Sequence, residues 1–311
     1  MIADAVPGSH KSVSPMPAPE EAGGTAKDPV LPSLPDTDKV ISIMRRVAAS
    51  EIMPRFGNLA AADIAEKRGP KDLVTVADTQ AEKALAEALT GLAPGSAVVG
   101  EEGVDADPGM LEALGGSAPV WLIDPVDGTN NFANGKPCFA VIIGYCAGGD
   151  IRAGWIHDPV NDVTVWAKEG EGTWMDTALE RRRLRLPAPK AVAQMTGSLG
   201  HRWTKRLKER IKAGLGWPGP RLVRYGCTGR EYMDLAIGRL DFAAYTRLKP
   251  WDHAAGVLIY REAGGVALVT DAPREAERGY RPLPEILETT LLLAPNQACW
   301  RGLKASLDLP A

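Results

Sequence analysis

Asp124 and Asp127 stand in the run Trp121-Leu122-Ile123-Asp124-Pro125-Val126-Asp127-Gly128-Thr129-Asn130-Asn131-Phe132. An apolar strand over 120–123 runs into Asp124, Pro125 forbids its regular continuation, and Asp127 follows one turn later. That spacing aims two carboxylates at one point. Like charges this close repel and raise each other's pKa unless a cation holds them. Hard oxygen donors of this kind suit Mg²⁺ or Mn²⁺. Gly128 and Thr129 then offer backbone N–H groups and a hydroxyl where a helix begins, a natural seat for phosphate. Taken alone, the same run would serve equally as a surface turn in which an Asp caps a helix.

Two further acidic places weigh against the plain turn. Gly100-Glu101-Glu102-Gly103 ends a short strand at Val98-Val99. Neighbours on a strand face opposite ways, so one of the two can reach a shared centre, and Glu101 is the candidate. The bland reading is an acidic loop. Asp252 follows Trp251 at the head of an apolar helix over 252–263. A lone Asp there is ordinarily an N-cap, and only its company makes it a ligand candidate.

Holding these groups together takes a sizeable body, and 311 residues are enough for one large domain or two mid-sized ones. A net charge of -3 gives no basic surplus for nucleic acid. Cys138, Cys146, Cys227 and Cys299 form no C-x-x-C pair and read as free thiols of a reducing cytoplasm. No apolar run reaches the ~18 residues of a membrane span. Asp4, Pro7 and His10 interrupt the N-terminal apolar residues, which argues against a secretory signal. A cytoplasmic protein without a membrane partner is expected. Residues 1–36 hold seven prolines and no aromatic residue and read as a flexible extension.

Periodicity predicts a helix after an N-cap at Asp36, a strand over 72–76, and a helix opened by Thr79 that buries Ala81, Leu85 and Leu89. An antiparallel meander over 138–147, 151–157 and 163–168 turns at Gly148-Gly149 and Asn161-Asp162. Arg181-Arg182-Arg183 reads as a solvated turn before a strand. Beyond about residue 185 come a basic helix over 202–212, a helix over 229–237, a strand over 240–245, the helix 252–263, strands over 266–269 and 289–293, and a closing helix over 297–307. The expected class is α+β to α/β, with a β-rich part over 37–185 and an α/β part over 186–311 completing one catalytic unit.

Gly100-Glu101-Glu102, then Asp124 to Phe132, then Trp251-Asp252-His253-Ala254-Ala255-Gly256 resemble the inositol monophosphatase family in order and spacing. Asp72-Leu73-Val74-Thr75 with Asp78, and Glu262-Ala263-Gly264-Gly265, match it as well. The resemblance covers the chain from about residue 37 to its C-terminus. It implies a layered α-β-α-β-α sandwich, a homodimer, and Mg²⁺-dependent, lithium-sensitive hydrolysis of a small phosphorylated metabolite. One magnesium is implied at Glu101, Asp124 and the Val126 carbonyl, a second at Asp124, Asp127 and Asp252, and a third, weaker one near Glu101. Asp78 and Thr129 resemble the pair that orients the attacking water, which puts them with Glu101 in the catalytic set. The substrate phosphate would lie on Gly128 and Thr129, with Asn130 in the same turn.

The substrate-side positions depart from the inositol-specific pattern. Inositol-specific members carry a Glu six residues before the Trp of the last motif, and here that position is Tyr245. Arg247 replaces a common Gly, and His201 stands where a small Ser is common. Arg247 and Lys249 would meet a second phosphate if they turn inward, and otherwise face solvent. Fructose-1,6-bisphosphatase activity therefore stays open. A 3'-phosphoadenosine nucleotidase usually shows Lys-Glu-Phe, and a histidinol-phosphate phosphatase Lys-Ser-Phe, where this chain has Asn130-Asn131-Phe132. A regulatory protein akin to bacterial members that bind transcription machinery is the alternative outside enzymology.

Overall fold

The computed structural model describes residues 32–69, 72–200, 203–205, 209, 212, 219–270 and 279–307. Most of residues 1–36, His201 and most of the basic stretch 202–212 lie outside the described residues.

Helix α1 (Thr37–Val47) starts where Asp36 accepts backbone N–H bonds from Asp38 at 2.9 Å and Lys39 at 3.2 Å. Val40, Ile41, Met44 and Val47 face inward, and a single π-turn over Ala48–Ile52 extends the helix. Leu34 already packs on the same core cluster, so the core takes in a residue before Asp36. Deleting residues 1–31 is therefore expected to leave kcat and Tm unchanged. Deletion through Asp36 should cost ~1 kcal/mol by removing the cap. A calorimetric comparison of the two truncations checks this; a large loss in the shorter deletion contradicts it.

Strands β1 (Ile64–Gly69) and β2 (Asp72–Thr75) pair as an antiparallel hairpin that runs directly into α2 (Val76–Leu92). The helix opens three residues before Thr79, because Thr75 and Asp78 form a reciprocal capping box. Ala77, Ala81, Leu85 and Leu89 are its buried face.

A seven-stranded sheet follows in the order β3 to β9. Its strands are β3 (Ala97–Gly100), β4 (Val120–Asp127), β5 (Ala140–Ala147), β6 (Asp150–Asp158), β7 (Val163–Lys168), β8 (Gly172–Asp176) and β9 (Arg181–Leu184). β3 and β4 are parallel and the remaining pairs antiparallel. Pro125 does not end β4. The ladder to β5 skips between Asp124 and Asp127, an irregularity that accommodates the missing N–H and keeps the strand going. The three arginines are not a turn but the edge strand β9 itself, with Arg181 bonded to Asp176 and Asp38.

The second sheet has the order β11-β10-β12-β14-β13. It comprises β10 (Thr196–Leu199), β11 (Arg221–Val223), β12 (Phe242–Tyr245), β13 (Val266–Val269) and β14 (Leu291–Ala294). Helices α3 (Glu101–Ala106) and α4 (Thr129–Ala133) are short insertions after β3 and β4. Helices α5 (Thr228–Ala236) and α6 (Pro250–Glu262) fill the space between the sheets, and α7 (Gln297–Ser306) covers the outer face of the second.

The layers run α1/α2, sheet, α5/α6, sheet, α7, the expected α-β-α-β-α sandwich. Alternation along β4 serves the helical layers on both faces of its sheet. Trp121 and Ile123 join the α1/α2 core, while Val120 and Leu122 join the α5/α6 core. Gly154 lets α6 approach, since a Cβ there would lie 2.7 Å from the Ala255 Cα. Among the described residues no helix is long and apolar enough to cross a membrane.

Candidate active site

The cluster forms where β3, β4 and α6 end or begin together. Glu101 and Glu102 are not on a strand: Gly100 ends β3 and caps α3, placing both in the first helical turn. Asp124 is buried within β4 and Asp127 ends it. Lys249 caps α6 and Pro250 occupies its first turn, so Asp252 lies one position beyond Trp251 inside the helix rather than capping it. Carboxylate oxygens of Glu101, Asp124 and Asp252 lie within 4.8 Å of one another.

Asp127 adjoins this group but is held from α5. Its Oδ2 accepts the Gly229 N–H at 2.6 Å and the Cys227 thiol at 3.0 Å. The Val126 carbonyl oxygen lies 3.1 Å from Thr129 Oγ1.

Burial pushes the Asp124 carboxyl well up, and Glu101, Asp127 and Asp252 add to it. Burial likewise raises Asp252 to about 7, against the opposing pull of Lys249. Asp127 also rises through burial, less the hydrogen bonds from Cys227 and α5. Burial alone would lift Glu101 too, but Lys249 and Lys67 hold it below the usual range. The donor set fits a hard divalent cation: its side-chain donors are oxygens, they repel one another, and buried Asp252 Oδ1 has no hydrogen-bond partner.

Two lysines supply the local positive charge. Lys249 Nζ lies 2.6 Å from Glu101 Oε1, so Lys249 faces the carboxylates rather than solvent. Lys67, on β1, reaches Glu102 at 2.8 Å, Asp105 at 2.7 Å and Glu101 at 3.9 Å. Glu82 of α2 accepts the Glu102 and Gly103 N–H groups, each at 2.8 Å, and so fixes the α3 start. Sequence reading missed Lys67 and Glu82. A cation and an acid on amphipathic elements carry no local motif.

Thr129 Oγ1 lies 3.1 Å from Asp78 Oδ1, while Asp78 Oδ2 takes the Thr75 hydroxyl at 2.5 Å and its N–H at 2.8 Å. Burial raises Asp78 to about 6, opposed by these bonds. Gly128 caps α4 at φ 92°, a left-handed conformation that favours glycine, and Asn130 sits in the first turn of α4.

Tyr245 is buried in the α5/α6 core, stacked on Tyr232 at 5.6 Å. Beside it Glu231, buried on α5, accepts from Ser198 Oγ at 2.6 Å. Burial raises Glu231 to about 7. A carboxylate is thus present near position 245, from another element. Arg247 is half-exposed, 3.7 Å from Glu288, apart from the carboxylates.

With this architecture and site in view, comparison with known proteins defines the class. Residues 36–307 match the model of the inositol monophosphatase family. The chain belongs to that family, a family of metal-dependent phosphatases. It is 29% identical over 240 residues to a fructose-1,6-bisphosphatase/inositol-1-monophosphatase of Thermotoga maritima, covering 75% of this chain and 84% of the relative. It is 32% identical over 260 residues to an inositol-1-monophosphatase of Caulobacter vibrioides, covering 78% and 96%. The solved Thermotoga maritima IMPase superposes with a TM-score of 0.70 at 24% identity, over 87% of this chain and 97% of that one, and shows the shared fold.

Proposed function

We propose that this chain is a Mg²⁺-dependent phosphomonoesterase that hydrolyses a small sugar, inositol or related phosphate with water as the nucleophile. The observation that carries this reading is the convergence of Glu101, Asp124 and Asp252 oxygens within 4.8 Å. Glu101, Asp124, the Val126 carbonyl, Asp127 and Asp252 would hold two or three Mg²⁺ ions. Bound there, the cation supplies Lewis acidity, easing loss of a proton from water and offsetting charge on the phosphoryl group.

The chain's own groups do the positioning. Thr129 donates its single hydroxyl proton to Asp78, leaving oxygen lone pairs to accept a hydrogen bond from the attacking water and aim it. Asp78 is itself fixed by two bonds from Thr75, which hold its acceptor oxygen toward the hydroxyl. Gly128, Thr129 and Asn130 would carry the substrate phosphate. Cys227 and the α5 N–H groups hold Asp127 in place.

Inositol 1-phosphate is not expected to be the preferred substrate. Position 245 carries a buried phenol instead of a carboxylate, and losing a charged acceptor costs roughly 1.5–3 kcal/mol, about 10- to 150-fold. Arg247, in an exposed pair with Glu288, would meet a second phosphate only by leaving that partner, whereas Lys249 is engaged with Glu101. The test is kcat/KM with Mg²⁺ across inositol 1-phosphate, fructose 1,6-bisphosphate, histidinol phosphate and 3'-phosphoadenosine 5'-phosphate. A lead of about tenfold or more for inositol 1-phosphate would show that Glu231 or another group replaces the lost acceptor.

A further inference from the structure

Cys138 and Cys227 flank Gly128. A Cβ on that glycine would lie 3.0 Å from the Cys138 carbonyl oxygen and 3.1 Å from the Cys227 Cβ. Asn131 stitches the two segments together, donating from Nδ2 to the carbonyls of Cys138 and Tyr225, each at 2.9 Å. Cys138 Sγ lies 4.0 Å from the carbonyl of Tyr225, two residues before Cys227. Cys227 is buried and donates to Asp127 Oδ2 at 3.0 Å, while Cys138 is half-buried. Phosphate-ester hydrolysis by water needs neither sulfur as a nucleophile.

We propose that Cys138 and Cys227 form a reversible oxidation site, at which a hydroperoxide links them as a disulfide and thereby disables the adjacent carboxylate centre. Cys138 reacts first. It is the more exposed of the two. Its sulfur attacks a peroxide oxygen: the S–O bond forms, the O–O bond breaks, and water or an alcohol leaves, giving a sulfenic acid. The Cys227 sulfur then attacks that sulfenic sulfur. The S–S bond forms, the S–O bond breaks, and the hydroxyl departs as water with the Cys227 proton. In sum, two thiols are oxidised by two electrons and one hydroperoxide is reduced to water and an alcohol, or to two waters for hydrogen peroxide. A dithiol reverses the linkage.

The consequence for the site is local. The disulfide removes the S–H that Asp127 Oδ2 accepts and pulls on the first residues of α5, whose Gly229 N–H also holds Asp127. Groups that orient a ligating carboxylate in this way are worth ~10- to 100-fold in metal affinity or activity.

The test treats the full chain with hydrogen peroxide, alkylates the remaining thiols, and maps the peptides by mass. The expected result is a Cys138–Cys227 cross-link with Cys146 and Cys299 alkylated, reversed by dithiothreitol. In parallel, Mg²⁺-dependent phosphate release should fall about tenfold or more and recover on reduction. Cys138→Ser, or Cys138→Ala if the first folds poorly, should abolish the cross-link and the peroxide sensitivity, while Cys299→Ser keeps both. Free, alkylatable Cys138 and Cys227 after peroxide would overturn the proposal, as would a Cys138 sulfinic acid without cross-link. Because the cross-link is read by mass, its absence is distinguishable from a failure of the phosphatase reading.

Discussion

Asp124→Asn is expected to lower kcat for phosphate-ester hydrolysis by ~10²-fold or more, in keeping with loss of one strong electrostatic contribution to the transition state. Asp124 is buried between Glu101 and Asp252, and Asp127 follows it in β4. The metal-free protein should respond in the opposite sense. Burial and three neighbouring carboxylates push the Asp124 carboxyl well up, so a neutral amide of the same shape removes repulsion and leaves Tm in EDTA unchanged or higher. Mg²⁺ should then raise the wild-type Tm and fail to raise that of the variant. Full activity in Asp124→Asn, or a Tm in EDTA well below wild type, contradicts the assignment.

Lys249→Met is expected to destabilise the metal-free protein by ~3 kcal/mol or more, because removing one partner of a buried pair strands the other charge. The Lys249 and Glu101 side chains are only 19% and 14% exposed, and their atoms meet at 2.6 Å. Burial alone would lower the lysine pKa, yet Asp252 and Glu101 hold it well above its usual value. Lys67 cannot take its place, lying 3.9 Å from Glu101 and committed to Glu102 and Asp105. A drop of roughly 4–6 °C in Tm follows for a chain of this size. Added Mg²⁺ should restore more of the loss than it adds to wild type, since the cation offsets the same carboxylates. Equal Tm values in EDTA would show that the ammonium contributes nothing there.

The parts legible in sequence are those in which chemistry and local structure coincide. Asp124-Pro125-Val126-Asp127 declares two carboxylates at the end of an apolar strand, although β4 runs on past Pro125 to Asp127, and Trp251-Asp252 marks the first turn of an apolar helix. Asp78 was placed by its motif, although its reciprocal cap with Thr75 moved the α2 start back to Val76. The parts that were not legible depend on distant elements. Lys67 meets Glu102 only because the β1–β2 hairpin lies against α3, and Glu82 meets α3 only because α2 runs past it. Alternation along a strand misread Glu101 and Glu102, since Gly100 turns the chain into a helix first. Position 245 shows the same limit: the missing carboxylate is visible in sequence, while the nearby Glu231 becomes visible only when α5 packs beside β12.

The most direct test of the central claim is the rate of phosphate release from the four phosphate esters named above, by protein stripped with EDTA and then given Mg²⁺. The account predicts no turnover after stripping and recovery on addition of Mg²⁺ for at least one ester. Undiminished turnover in EDTA, or no turnover of any ester with Mg²⁺ present, would contradict it.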